Sequence, residues 1–382
     1  MSRKKIIRTS TVSTSLNTFC RGTLRRLANT YDVVAVSTPD DELREMAQRE
    51  GIRVIGVPMR RPIAPLSDIV SLWRLIRVFR RERPTMVHSI TPKAGLLSMI
   101  AAWICHVPVR LHTFTGLVFP TAMGLKQRIL MLTDRITCAC ATHIVPEGEG
   151  VKADLISYNI TRKPLQVLGY GNVRGVDMQH YSRTSEVMTA AQSISRSDVF
   201  TFVFVGRVVR DKGINELVEA FVRLHQAEPA TRLILVGWFE DNLDPVSDQT
   251  KQDIERCDAI EAVGSQSDVR PWLAAADALV FPSYREGFPN VVLEAGALDL
   301  PSIVTDINGS REIIVHGKNG IIVPPRNAQA LLQAMTQFVQ NPQATQAMAA
   351  NARKMIASRF EKSFVEQCLF DYYKEILGEV TL

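Results

Sequence analysis

The chain has 382 residues, 46% of them hydrophobic, and a formal charge of +6 at neutral pH. That length is too great for one ordinary core and calls for two domains. Its six cysteines are scattered without a CxxC pair and follow no signal peptide, which argues against a disulfide-stapled secreted protein and for a reduced cytoplasmic setting. The charge is unevenly divided: residues 1–190 hold 27 lysines and arginines against 14 acidic residues, and the remainder 18 against 25. A basic first half suits anionic lipid, a lipid diphosphate or nucleic acid. No nucleic-acid-reading motif accompanies the charge, so an anionic membrane surface is the expected partner and nucleic acid is not.

Residues 4–10 read as a first strand, followed by a Ser/Thr-rich loop at 9–19 and a helix at 21–29. Strands at 33–36 and 53–57 flank a helix at 41–50. This alternation calls for a doubly wound parallel sheet. Residues 67–83 read as a helix that Ser67 can cap, with Ile69, Leu72, Trp73, Ile76 and Phe79 on one side. Arg74, Arg77, Arg80 and Arg81 crowd its other sides, a candidate surface for anionic headgroups. The strand at 86–90 carries His88. Lys93 follows, in a loop before an apolar helix, where an anion could bind. That helix, 96–105, is about half the ~20 residues needed to span a bilayer. The strand at 109–116 puts His112 near its polar end, where ligands collect in open parallel sheets. Cys138, Cys140 and His143 invite a metal reading, but small buried residues on a helix account for them. Strands at 142–145 and 165–168 and a helix at 147–158 complete a first domain expected over 1–180. Polar residues 181–198 read as a linker.

A second domain, 199–360, opens with an apolar strand that ends at Gly206. The turn that follows carries Arg207 and Lys212, and a helix runs over 214–225. A guanidinium and an ammonium at such a junction can neutralise a phosphate. There is no GxGxxG, so this is not the generic dinucleotide signal. A strand at 232–237 and another ending at Gly264 follow, with Ser265 and Gln266 just beyond. The central stretch is a strand at 278–281, a loop at 284–290 and a helix at 291–298. Gly287, Phe288, Pro289 and Asn290 form the loop-to-helix passage whose backbone can face a phosphate. Glu286 stands at the crest and Glu294 eight positions on. Carboxylates accept hydroxyls well, so a loop that offers both suits a sugar nucleotide. Strands at 302–305 and 320–324 and helices at 328–339, 343–356 and 362–377 close the chain.

Glu286 and Glu294 lie in EGFPNVVLE after FPSYR, which resembles the signature of retaining glycosyltransferases of family 4. With the flanking motifs the resemblance covers most of the chain. It implies the GT-B fold: α/β, with two Rossmann-like doubly wound domains facing across a cleft. It implies a nucleotide-sugar co-substrate and no cofactor. No metal is expected either, since no Asp-x-Asp motif is present. Arg207 and Lys212, beside Gly206, would hold the donor diphosphate. Glu286 would bind the donor sugar, Glu294 the ribose, and Ser265 and Gln266 would neighbour the base. His112 resembles a family histidine that faces the donor. Gly175, Asp177 and Tyr181 resemble the interdomain passage, and a final helix in 361–382 would return to the first domain.

Such enzymes retain anomeric configuration, and no residue here is a convincing covalent nucleophile. The resemblance suggests front-face attack, with the donor phosphate taking the acceptor proton. Glu286, Arg207, Lys212 and His112 would then act by charge and position. The loop from Ser13 to Asn17 replaces the family's common glycine-rich loop; Asn17, His88 and Lys93 are the candidate acceptor contacts. The stretch from Ser267 through Ala297 is similar to bacterial enzymes that extend lipid-diphosphate-linked sugars in capsule, O-antigen or related synthesis. UDP-hexose or UDP-N-acetylhexosamine is the expected donor. The location expected is cytoplasmic, peripheral on the inner face of the membrane. The alternatives are GDP-mannose as donor, a soluble acceptor, a sugar-nucleotide epimerase of the same fold, and a noncatalytic sugar-nucleotide-binding subunit.

Overall fold

A computed structural model describes residues 3–61, 64–242 and 244–379. The chain forms two compact units. Unit 1 comprises Met1–Gly175 with Ser363–Leu382, and unit 2 comprises Val176–Lys362. In unit 1 the strands are β1 (Lys5–Thr9), β2 (Asp32–Ser37), β3 (Arg53–Gly56), β4 (Met86–Ile90), β5 (Val109–Phe114) and β6 (His143–Pro146). They lie in the order β3-β2-β1-β4-β5-β6, and every pairing is parallel. Unit 2 repeats the plan with β7 (Phe200–Val205), β8 (Thr231–Val236), β9 (Ile260–Gly264), β10 (Ala278–Phe281), β11 (Ser302–Thr305) and β12 (Gly320–Val323). Their order is β12-β11-β10-β7-β8-β9, again all parallel. Strands covered on both faces read as apolar runs, and Phe202, Val203, Phe204, Leu279 and Val280 are fully buried. The strand order reverses between β1 and β4, and again between β7 and β10. A crevice opens at the carboxyl ends of such a pair.

Several elements differ from the sequence reading. The expected strand at 165–168 is reduced to one bridge, Ile144 with Leu165. The expected loop before residue 20 is a helix, Ser13–Cys20. Its polar side chains reach outward rather than to their own backbone. Ser13 Oγ donates to Asp40 (2.6 Å), Thr14 Oγ1 to Glu42 (2.7 Å) and Asn17 Nδ2 to Glu42 (2.9 Å). That removes the local competition which usually keeps such residues out of helices. The expected linker contains a helix, Ser185–Gln192, capped by Thr184 and burying Val187 and Ala191 beside Ala274 of unit 2. The division between the units therefore falls at Gly175, before that segment.

The arginine-rich helix is Pro65–Glu82, with Pro65 in its first turn and no side-chain cap from Ser67. It buries Ser71, Leu75, Phe79 and Glu82, and leaves Ile69 and Trp73 exposed. The apolar side read from sequence is thus rotated relative to the buried one. The last helix, Lys362–Ile376, packs Phe370, Tyr372 and Tyr373 onto the β1 side of unit 1. Burial of each aromatic contributes roughly 1.5–3 kcal/mol. Thr23 donates to Glu366 (2.8 Å), and the Arg26 guanidinium lies 4.3 Å from the Phe370 ring centroid.

Helix Gly124–Cys140 ends under a lysine: Lys163 Nζ donates to the carbonyls of Cys138, Ala139 and Ala141. A cation there satisfies the last carbonyls and the helix dipole together. Burial pushes the Cys138 thiol up to about 12. Inside the same helix, Asp134 is 9% exposed, and burial pushes its carboxyl up to about 7. The folded chain then binds this proton more tightly than the unfolded chain, so the group lowers stability as pH rises from about 4 to about 7. Asp134→Asn should stabilise the protein by on the order of 2–4 kcal/mol at pH 8 and much less at pH 4.5. Denaturant unfolding at the two pH values measures this; an equal change at both would contradict it.

Candidate functional site

In unit 2 the reversal point joins β7 to β10, through Ala278 opposite Phe202 and Leu279 opposite Val203. The chain leaves β7 through Gly206 and Arg207, makes a short 3-10 turn at Arg210–Lys212, and enters helix Ile214–Ala227. Gly213 joins turn and helix at φ +72°, and a Cβ there would stand 2.1 Å from Pro282 O. Only glycine lets the Lys212 turn lie this close to the end of β10. From β10 the chain runs through Pro282–Pro289 into helix Asn290–Ala297.

This packing brings Lys212 and Glu286 together as an ion pair, with both side chains less than one-fifth exposed. Ser283, itself buried, donates to the same Glu286 oxygen at 2.9 Å. The Lys212 ammonium also lies 5.2 Å from the Phe281 ring centroid. Arg207 is paired in turn with Glu240, on the segment that follows β8. The loop carrying Glu286 is braced from both sides. Tyr284 N–H donates to Asp211 O (2.9 Å), Arg285 pairs with Asp211 (2.8 Å), and Tyr284 OH donates to Glu216 (2.6 Å). Burial, and then the Glu216 carboxylate, push the Tyr284 phenol above its usual range.

Gly287, Phe288 and Pro289 are buried, and helix Asn290–Ala297 begins directly after them. Pro289 has no N–H, so the amides available at this turn are those of its neighbours. Glu294 lies in the second turn of that helix and is 9% exposed. Ser265 and Gln266 follow β9, where Ser265 is exposed and Gln266 donates to Val263 O (2.8 Å). The loops after β7, β8 and β9 are linked by backbone bonds, Gly206 N–H to Val236 O and Gly237 N–H to Gly264 O, both 2.9 Å. All the donor candidates therefore lie along the carboxyl edge of one sheet.

The unit 1 candidates are more enclosed. His112 lies within β5, is 1% exposed, and has Nδ1 2.8 Å from Ser89 Oγ. Burial pulls its imidazole down to about 3, so it is neutral at physiological pH. His88 is 2% exposed; its Nδ1 meets Arg8 (2.8 Å) and Tyr373 OH (2.5 Å), and its Nε2 meets Thr113 Oγ1 (2.8 Å). Burial holds it well below its usual range. A cavity of about 20 Å³ adjoins this row, lined by Arg8, His88, Thr113 and Asn172 among others. These hydrogen bonds of His88 all lie inside the unit. Lys93 is in the first turn of helix Pro92–Ile104 rather than in a loop, and its ammonium pairs with Asp68 at 2.7 Å. Asn17 bridges Glu42 and Arg49. These four do not form one cluster with a common ligand.

Sequence reasoning missed Glu240, Ser283 and the braces Asp211 and Glu216. Their roles come from how loops from different strands meet, and no spacing in the sequence announces that. Among the described residues, no group of three or more His, Cys, Asp or Glu side chains is placed to hold a metal ion.

The family profile described as "Glycosyl transferases group 1" matches residues 189–355, and that described as "Glycosyl transferase 4-like domain" matches residues 15–171. The chain is 31% identical to the capsular polysaccharide biosynthesis glycosyltransferase CapM of Staphylococcus aureus, over 99% of each chain. It is 25% identical to the Escherichia coli UDP-Gal:alpha-D-GlcNAc-diphosphoundecaprenol alpha-1,3-galactosyltransferase, over 81% of each. Among solved structures, Anabaena HepE in complex with UDP superposes with a TM-score of 0.81 over 97% of this chain and 100% of that one, at 17% identity. That likeness shows the fold, GT-B. The chain belongs to the group 1 glycosyltransferases, with a glycosyltransferase 4-like first half, and it is a transferase of this kind.

Proposed function

We propose that the enzyme moves a hexose or N-acetylhexosamine from a UDP-sugar to a lipid-diphosphate-linked saccharide, with retention and without a metal. The observation that carries this reading is the Lys212–Glu286 pair, seated on Ser283 at the reversal point of the second sheet. A cation and a carboxylate side by side match the two ends of the bond that breaks. Lys212 and Arg207 take the diphosphate, where negative charge grows, and Glu286 takes hydroxyls of the sugar. The amides of Gly287, Phe288 and Asn290 add donors at a helix N-terminus. Glu294 holds the ribose, and Ser265 and Gln266 flank the base.

The anomeric C–O bond to the diphosphate breaks with oxocarbenium character. The acceptor oxygen bonds to the same face, and its proton passes to the departing phosphate oxygen. No side chain need act as a base. His112, neutral and held by Ser89, contributes position rather than charge. The UDP-linked donor and the lipid-diphosphate acceptor agree with the printed activity of the E. coli relative, and the polysaccharide setting agrees with that of CapM.

The membrane partner rests on a surface of unit 1. Helices Pro65–Glu82 and Gly124–Cys140 both pack against helix Pro92–Ile104. The first exposes Leu66, Ile69, Val70 and Trp73 beside Arg74, Arg77, Arg80 and Arg81. The second exposes Leu125, Ile129, Leu132 and Ile136, at spacings of four, three and four, beside Lys126, Arg128 and Arg135. Contiguous exposed apolar side chains bordered by cations suit an interfacial site on anionic lipid. No helix among the described residues is long and apolar enough to cross a membrane. We place the enzyme peripherally on the cytoplasmic face.

Two measurements test the reading. Calorimetric titration with UDP-sugars, with chelator present, should show binding that falls at least about tenfold in Lys212→Ala, as loss of a charge-assisted contact requires. Binding that depends on added metal, or that Lys212→Ala leaves unchanged, would overturn the donor site. Co-sedimentation with anionic vesicles should be strong at low salt, and should weaken with salt and in Ile129→Glu/Leu132→Glu. No attraction to such vesicles would favour a soluble acceptor.

A further inference from the structure

Glu240 belongs to no motif, and the donor chemistry above does not use it. It nevertheless holds Arg207, the more exposed of the two cations: Arg207 is 40% exposed and Glu240 22%. Backbone contacts bring the segment that carries Glu240 to Arg207. Gly237 adopts φ +150°, and a Cβ on it would stand 1.7 Å from Gly206 O, so the segment leaving β8 lies directly on the segment leaving β7. Val208 N–H donates to Trp238 O (2.9 Å), two residues before Glu240. Four residues after it, Asp244 accepts from Asp211 N–H (2.6 Å), while Arg210 N–H donates to the Asp244 carbonyl (3.1 Å). These bonds hold the backbone before and after Glu240 close to the segment that carries Arg207.

We propose that Glu240 is the counter-ion that the donor diphosphate displaces from Arg207, and that it sets the affinity of this site for nucleoside diphosphates. The proposal rests on the donor reading given above. Glu240 occupies Arg207 Nη1, so a phosphate that takes this nitrogen must displace the carboxylate from it. Once Arg207 turns, the Glu240 carboxylate stays close to the diphosphate as a like charge. The penalty grows with the charge on the ligand. A free nucleoside diphosphate, the product, carries about one more negative charge than the sugar-linked donor, so it is penalised more. Glu240 thereby weakens product binding more than donor binding. The Lys212–Glu286 pair is different in kind, because Glu286 has hydroxyls of the sugar to receive when Lys212 leaves it.

The test is the Kd of UDP, with GDP as the other base, measured by calorimetry with chelator present. Glu240→Gln should lower the Kd of the nucleoside diphosphate roughly three- to tenfold, as expected for loss of a partly exposed competing charge. The gain should be smaller for the sugar-linked donor, shrink at high salt, and be clearly reduced in an Arg207→Gln background, where no ion pair remains to be displaced. Glu255→Gln, an exposed charge change on helix Asp248–Arg256, should leave the Kd unchanged. Unchanged or weaker binding in Glu240→Gln would overturn the proposal, since Glu240 would then be supporting Arg207 or contacting the nucleotide. So would an equal gain in the Arg207→Gln background, which would mark a general field effect. If neither wild type nor Glu240→Gln binds a nucleoside diphosphate, although thermal unfolding shows both folded, the donor reading itself fails and this proposal with it.

Discussion

A cation withdrawn from water needs an anion beside it, and the carboxyl edge of the second sheet is arranged around that requirement. Lys212 is mostly buried and cannot stand there alone. Glu286 answers it, and Ser283 in turn fixes the Glu286 oxygen that does so. Arg207 is answered by Glu240. The pairs are worth little as surface contacts. Their importance is that each keeps a cation on this edge with its charge balanced. A ligand able to replace the carboxylates must itself bring a compact double negative charge, and a sugar diphosphate ester does so.

Backbone geometry makes that arrangement possible. The reversal of strand order separates the helices that follow β7 and β10, and the loops between strand and helix meet in the opening. Gly213 lets one loop touch the other, and Gly237 lets the β8 segment lie on the one that leaves β7. Tyr284, Arg285, Asp211 and Glu216 then stiffen the crest that bears Glu286. A loop fixed this way would lose little freedom on meeting a ligand. Unit 1 spends its buried polar groups differently. Arg8, His88, Thr113 and Tyr373 form a closed row that joins β1, β4 and β5 to the last helix, a structural use of residue types that often serve chemistry.

The parallel sheets were legible because buried strands write themselves as apolar runs, as at Phe200–Val205 and Ala278–Phe281. The edge strand β3, with only partial burial, is the weaker signal. Glu286, Glu294, Arg207 and Lys212 stood out because strand, turn and helix signals flank them. What stayed hidden depends on tertiary pairing. Helix Ser13–Cys20 is built from poor helix formers and exists because Asp40 and Glu42 engage its side chains. The arginine-rich helix is rotated because its outer apolar residues are not core residues, which periodicity alone cannot separate. Asp68, twenty-five positions before Lys93, pairs with its ammonium, and no local spacing announces that contact.

The decisive event is the exchange of Glu286 for a phosphate at Lys212. A crystal structure of the enzyme with a bound nucleoside diphosphate sugar measures this directly. The expected result is the diphosphate at the start of helix Asn290–Ala297, the Lys212 ammonium within hydrogen-bond reach of a phosphate oxygen, and the Glu286 carboxylate turned to the sugar. A nucleotide bound elsewhere, or one bound here with the Lys212–Glu286 pair intact, would contradict it.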